Sequence, residues 1–138
     1  MRYLAIDFGE KRIGVSVSDD AERLAVPVGI VERRTDYEAI REIREIAIER
    51  DIRGLVVGRP TNLDGRPGTL WERVGRFAER LAAACQTPLY FVDETLTSRE
   101  AESRLRDRHG SRRRKRRAID ALAATIVLQE WLDSRQRP

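Results

Sequence analysis

One stretch near the N-terminus constrains the fold more than any other. Two apolar runs, Tyr3 to Phe8 and Ile13 to Ser18, flank a short turn that contains Gly9. Two such runs around a tight turn are typical of a β-hairpin. The first run carries one carboxylate, Asp7, on what would be a rigid strand, which suits a metal ligand or a proton-transfer group. Because Asp also commonly shapes turns, this stretch alone leaves a structural role equally open.

The rest of the chain alternates between helix and strand patterns. Residues 24–31 predict a third strand, which Pro27 makes irregular or places at an edge. Further strands are predicted at 54–58 and 89–92, and helices at 35–50, 69–85, 97 to about 108, and 118–132. Thr35 and Thr69, each followed by Glu three residues later, predict capping boxes. We therefore expect an α/β fold, a five-stranded mixed sheet flanked by helices, with an antiparallel meander followed by parallel strands.

Length and residue counts narrow the class of protein. A chain of 138 residues suits a single domain over residues 1–138. The single cysteine, Cys85, excludes an internal disulfide and a cysteine zinc site, and the single histidine, His109, excludes a histidine-rich one. A metal would therefore need oxygen ligands, which favours Mg²⁺ or Mn²⁺. Nothing resembles a membrane span or a signal peptide, so we expect a cytoplasmic protein with a reduced, buried Cys85.

The positive charge is concentrated near the C-terminus. Residues 101–138 carry 11 Lys and Arg against 5 Asp and Glu, a net of +6, whereas residues 1–100 carry 16 against 18, a net of −2. This asymmetry predicts a polyanionic partner, although a solvated basic loop is the bland alternative. Most of this positive charge comes from a run of six basic residues: Arg112, Arg113, Arg114, Lys115, Arg116 and Arg117. We interpret this run as a loop that is mobile when free and ordered on nucleic acid.

Three acids at element ends are the candidate catalytic and metal-binding residues. Asp7 lies on the first strand, Glu94 follows the last strand, and Asp120 falls in the expected first turn of the last helix. Each has a structural alternative, such as an exposed turn for Glu94 or a helix-dipole role for Asp120. If the three acids meet, their mutual repulsion requires a cation, and two metal ions can position water for attack on a phosphodiester. Candidate phosphate contacts are the basic run together with Lys11, Arg12, Thr97 and Ser98.

In these motifs and their order the chain resembles the YqgF family, which comprises RuvC-like proteins described as Holliday-junction resolvases and as pre-16S rRNA nucleases. The resemblance runs in order through five segments: 6–15, 18–27, 56–65, 92–98 and 120–129. It implies an RNase H-like fold in which Asp7, Glu94 and Asp120 match the catalytic acids. Two departures concern substrate contacts: Thr95 replaces a residue that is commonly basic, and Arg59 one that is usually apolar.

The sequence is compatible with several functions. The leading hypothesis is a metal-dependent nuclease, for which the resemblance implies processing of the 5′ end of pre-16S rRNA in ribosome biogenesis. A Holliday junction resolvase acting on branched DNA is the first alternative, because phosphate contacts carry little sequence or substrate identity. A non-catalytic RNA-binding module of ribosome assembly is the second. A nucleotide-binding ATPase or kinase is disfavoured because such proteins place two comparable domains around the nucleotide. Neither monomer nor homodimer is favoured.

Overall fold

The computed structural model describes residues 1–59, 71–93 and 112–136, with the side chains of 121–135 in the last segment. These described residues form five strands and three helices: β1 (Arg2–Phe8), β2 (Arg12–Ser18), β3 (Ala25–Glu32), α1 (Asp36–Glu49), β4 (Ile52–Arg59), α2 (Trp71–Cys85), β5 (Leu89–Asp93) and α3 (Arg112–Gln136).

The strands form one mixed sheet in the order β3-β2-β1-β4-β5. β1, β2 and β3 pair antiparallel, whereas β4 pairs parallel with both β1 and β5. The α1 crossover explains the parallel pairing of β1 and β4, since parallel neighbours need a connection long enough to return to the same edge. The predicted five-stranded mixed sheet is confirmed, as is the edge position of the strand that contains Pro27.

Strand alternation divides the core into two layers. On β1, Leu4, Ile6 and Phe8 belong to the cluster that also contains the buried faces of α1 and α2. Tyr3 and Ala5 belong to the opposite cluster, which α3 covers with residues such as Val127 and Leu128. Because successive side chains of a strand point to opposite faces, Asp7 lies on the α3-facing side of the sheet.

Local signals fix the first helix as expected. The Thr35 hydroxyl accepts a 3.1 Å hydrogen bond from the backbone N–H of Glu38, so Thr35 is the N-cap of α1. The buried residues Ala39, Ile40, Ile43 and Ala47 recur at helical spacing and pack on the sheet. The capping box predicted at Thr69 and the helix predicted over 97–108 lie outside the described residues.

The last helix is longer than the sequence pattern predicts. It begins at Arg112, so the backbone of the six-residue basic run is helical, and its interpretation as a loop was wrong. Arg and Lys are good helix formers, and the buried residues that follow anchor the helix to the sheet. Asp120 therefore lies in the third turn rather than the first, which removes the helix-dipole explanation for its position. No helix within the described segments is long and apolar enough to cross a membrane.

Candidate active site

Asp7 lies near the carboxyl end of the central strand β1, between two glycines. Gly14 of β2 is its register partner. On the other side Ile6 pairs with Val57, so Gly58 of β4 is the residue alongside Asp7. Cross-strand neighbours normally place their Cβ atoms about 5 Å apart. Since neither glycine has a side chain, neither neighbouring position narrows the space around the half-buried Asp7 carboxylate.

The β1–β2 turn brings basic residues to the same end of the sheet. A Cβ added to Gly9 would lie 2.4 Å from the Arg12 carbonyl oxygen, so glycine permits the chain to reverse this tightly. The turn presents the exposed Lys11 and the half-buried Arg12 at the carboxyl end of β1. The Arg33 N–H donates a 2.8 Å hydrogen bond to the Lys11 carbonyl oxygen, which ties the turn to the end of β3. Two cationic side chains thus belong to the loop that follows Asp7.

A buried hydrogen bond joins α3 to the sheet next to this site. The Ser16 hydroxyl donates to the Ala124 carbonyl oxygen at 2.9 Å. Further along the helix, Trp131 stacks edge-on against Tyr3 with ring centroids 4.5 Å apart. Tyr3 lies near the start of β1, whereas Ser16 pairs with Ala5, further along it. Residues nearer the N-terminus of α3 therefore lie nearer the end of β1 that carries Asp7.

The Ser16–Ala124 hydrogen bond also gives a reference point for the position of the Asp120 backbone relative to Asp7. Asp120 precedes Ala124 by four residues, or about 6 Å along a helix. Gly14, the partner of Asp7, precedes Ser16 by two residues, or about 6.6 Å along a strand. Both displacements start from one hydrogen bond and lead toward the same end of the sheet, so the Asp120 backbone lies on the Asp7 side of that bond.

The other predicted site residues are less completely described. Glu94, Thr97 and Ser98 lie outside the described residues. Val92, two residues before Glu94, packs in the α3-facing cluster. For the basic run, the structure describes only the backbone of residues 112–117, which is helical. Among the side chains that the structure does describe, no three His, Cys, Asp or Glu residues cluster closely enough to hold a metal ion.

Polar residues to which the sequence analysis assigned no role form hydrogen bonds on the α3-facing side, toward the end of the sheet away from Asp7. The Ser18 hydroxyl accepts a 2.8 Å hydrogen bond from the Tyr3 N–H. The Gln129 side chain accepts from the Ala25 N–H at 2.9 Å and donates to the Arg23 carbonyl oxygen at 2.7 Å. The two hydrogen bonds of Gln129 hold α3 against the start of β3. The alternation of serines along β2 hinted at a polar contact on one face, but nothing in the sequence identified its partner.

Asp19 stabilises the connection between β2 and β3. Its Oδ1 accepts hydrogen bonds from the backbone N–H groups of Arg23 and Leu24 at 2.9 and 3.2 Å. These two bonds, that of Arg23 foremost, lower the pKa of the Asp19 carboxyl. Asp19 therefore has a structural role in a turn, although it belongs to a motif of the family resemblance.

A 3-2-1-4-5 mixed sheet, with an acid near the end of its central strand and the helix α3 over that face, defines an RNase H-like fold. The chain belongs to the RuvX family, whose model, described as "Holliday junction resolvase", matches residues 1–134.

Curated relatives extend over almost the same length. A protein of Anaeromyxobacter sp. (strain K) is 45% identical over 135 residues, covering 98% of each chain. One of Crocosphaera subtropica is 38% identical over 133 residues, covering 96% of this chain and 93% of its own. Both carry the name "Putative pre-16S rRNA nuclease".

Solved structures share the fold at low sequence identity. Thermus thermophilus RuvC in complex with a Holliday junction substrate matches with a TM-score of 0.56 at 17% identity, covering 98% of this chain and 95% of that one. The fowlpox virus resolvase in complex with Holliday junction DNA matches with a TM-score of 0.57 at 9% identity, covering 99% and 100%. The likeness supports the RNase H-like fold that the sequence predicted.

Proposed function

We propose that this protein is a divalent-metal-dependent nuclease that hydrolyses phosphodiester bonds in structured nucleic acid. The observation that carries the proposal is the position of Asp7 between Gly14 and Gly58, on the side of the sheet that α3 covers. A carboxylate at a strand end, with glycines on both neighbouring strands, can contact both an ion and a phosphate. The Ser16–Ala124 hydrogen bond supports Asp120 as a second acid, because it relates the two backbones.

The available ligands fit Mg²⁺ or Mn²⁺. Asp7, Glu94 and Asp120 would supply only carboxylate oxygens, which these ions prefer. A bound ion would lower the pKa of a water molecule and stabilise charge on the leaving oxygen. The three carboxylates would hold the ion, and Lys11 and Arg12 would neutralise the phosphate beside it. The products are a 5′ or 3′ phosphate and a free hydroxyl.

The preferred substrate in this proposal is precursor 16S rRNA, processed at its 5′ end in the cytoplasm. This choice rests on the names of relatives that are 38–45% identical over nearly the whole chain. The helical basic run of α3 supports a polyanionic substrate, since six consecutive cations repel one another and oppose the helix dipole unless anions are near.

A Holliday junction resolvase is the second candidate. The description of the family model and the two resolvase structures with the same fold favour it. A resolvase acts as a symmetric pair on two strands, so this candidate also predicts a homodimer on the junction.

Cleavage of matched labelled substrates tests the proposal. A precursor rRNA fragment and a four-way DNA junction are each incubated with Mg²⁺ or Mn²⁺ and with wild type, Asp7→Asn or Asp51→Asn. Asp51 is an exposed acid of the turn before β4, at the other end of the sheet, and serves as the matched control. We expect Asp7→Asn to lose at least 100-fold in rate while it still binds, and Asp51→Asn to match wild type.

The outcomes separate the candidates. Faster cleavage of RNA supports the rRNA nuclease, and faster cleavage of the junction supports the resolvase. Equal activity of wild type and Asp7→Asn would contradict the assigned site. Binding without cleavage of either substrate would favour a non-catalytic RNA-binding module.

A further inference from the structure

Arg59 is held between two aromatic rings at the end of β4. Its guanidinium carbon lies 3.8 Å from the ring centroid of Trp71, the first residue of α2, and 4.3 Å from that of Phe91 on β5. Stacking on both sides restrains the plane of the guanidinium far more than a solvated arginine allows. Three separate elements therefore cooperate to orient one side chain.

Gly75 of α2 completes this arrangement. A Cβ added there would lie 3.1 Å from Arg59 Nη2. Glycine is a poor residue for the interior of a helix, and α2 is otherwise built from good helix formers such as Ala, Leu, Glu and Arg. The close approach of the guanidinium explains why a glycine is accommodated at this position.

One hydrogen-bond donor of Arg59 has no partner within the described part of the chain. Its Nε is buried and has no hydrogen-bond partner there. Asp93 is its register partner on β5, yet no ion pair joins the two among the described contacts. Arg33 also has a buried Nε without a partner there, but unlike Arg59 it forms an ion pair, at 2.9 Å with Asp36.

Arg59 ends its strand at the same edge of the sheet as Asp7. Ile6 pairs with Val57, so the backbone of Arg59 lies one residue beyond the row that contains Asp7. Its side chain lies on the opposite face, as do Leu55 and Val57. A polynucleotide strand that bends over this edge can therefore contact both residues at different phosphates.

We propose that Arg59 is a phosphate-binding residue that holds the nucleic-acid strand one or more nucleotides away from the bond cleaved at Asp7. This inference rests on the proposed nuclease function and adds a contact on the other side of the sheet edge. A planar guanidinium can form two parallel hydrogen bonds with a phosphate, which a lysine cannot reproduce.

Binding is measured by fluorescence anisotropy in the Asp7→Asn background, where cleavage does not interfere. The ligand is a fluorescein-labelled RNA hairpin with a single-stranded extension, titrated between 50 and 300 mM KCl, with a four-way DNA junction in parallel. The variants are Arg59→Leu, which keeps an apolar filling between the rings, and Arg59→Lys, which keeps the charge. Arg53→Leu is the matched control, because Arg53 is an exposed arginine at the opposite end of the same strand.

Arg59→Leu should weaken binding about tenfold. It should also reduce the steepness of log K against log salt concentration (the salt slope) by about 0.7, the value for one phosphate contact on a single strand. Arg59→Lys should keep the slope and lose about threefold in affinity. Gly75→Ala, which retains Arg59 but crowds its guanidinium, should also weaken binding, and Arg53→Leu should not. Urea unfolding of each variant separates a loss of contact from a loss of fold.

Equal affinity and slope for Arg59→Leu and Arg53→Leu would overturn the inference and make Arg59 a packing residue only. That result would leave the nuclease proposal intact if wild type still cleaves. Conversely, a protein that binds through Arg59 but never cleaves would contradict the nuclease proposal while supporting this contact. Binding of neither RNA nor junction would overturn both.

Discussion

The Ser16 hydroxyl and the Ala124 carbonyl oxygen are joined by a buried 2.9 Å hydrogen bond across 108 residues of sequence. Ser16 has no exposed surface, and it pairs with Ala5 two residues before Asp7. This contact sets the position of α3 along the sheet and thereby the level of Asp120 relative to Asp7. Its removal should disturb both stability and the alignment of the acids.

Ser16→Ala should lower the free energy of unfolding by about 1 kcal/mol, the usual net value of one such hydrogen bond. The cost stays moderate because a carbonyl within a helix keeps its backbone partner. Urea denaturation measures the change, with Ser134→Ala as control: the Ser134 hydroxyl donates locally to the Trp131 carbonyl oxygen at an exposed site. If both substitutions cost the same, Ser16 has no special role in fixing α3.

The local parts of the fold followed from the sequence. The hairpin around Gly9 and the Thr35 cap depend on residues a few positions apart, so their patterns suffice to predict them. The start of α3 did not follow, because a run of like charges suggests a solvated loop when the packing of the helix that follows is unknown. The Ser16 contact and the stacking around Arg59 join residues from distant segments. Only the pairing of strands brings these residues together.

The position of the candidate acids was predictable only in outline. Asp7 could be assigned to a strand from its apolar neighbours, and its placement near the strand end is as expected. Its two glycine neighbours come from β2 and β4, and the register that aligns them cannot be derived from the sequence of either strand alone. Asp120 was assigned to a helix correctly but to the wrong turn, because the start of that helix was misplaced.

The pKa of the Asp19 carboxyl should lie below the ordinary value of an aspartate. Its carboxylate accepts two backbone hydrogen bonds, which favour the charged form and lower the pKa. A group with a lowered folded pKa stabilises the fold above its unfolded pKa and loses that contribution as pH falls through the folded value. The loss should therefore occur below about pH 4.

Carbon-detected NMR titration measures the Asp19 pKa directly. Asp19→Asn keeps an acceptor oxygen but removes the charge, so its stability should change less between pH 5 and pH 3 than that of wild type. A wild-type Asp19 that titrates at or above the value of a model peptide would contradict the two hydrogen bonds described here.

Cys85 should react slowly with thiol reagents in the folded protein. The residue is a free thiol at the end of α2, and its partial burial raises the pKa of the thiol. Since the thiolate is the reactive form, a raised pKa lowers its fraction at neutral pH. The rate with an aromatic disulfide at pH 7.5 should fall at least tenfold below that of the protein in guanidinium chloride. Equal rates in the two conditions would show that the thiol is freely accessible.

Anomalous diffraction from crystals soaked in Mn²⁺ shows whether Asp7, Glu94 and Asp120 bind one metal centre, on which the proposed nuclease function depends. We expect an anomalous peak on the α3-facing side of the sheet, within about 2.0–2.6 Å of carboxylate oxygens from all three residues. The peak should disappear in crystals of Asp7→Asn. Mn²⁺ bound elsewhere, or carboxylates of these three residues that point to separate places, would rule out this metal site.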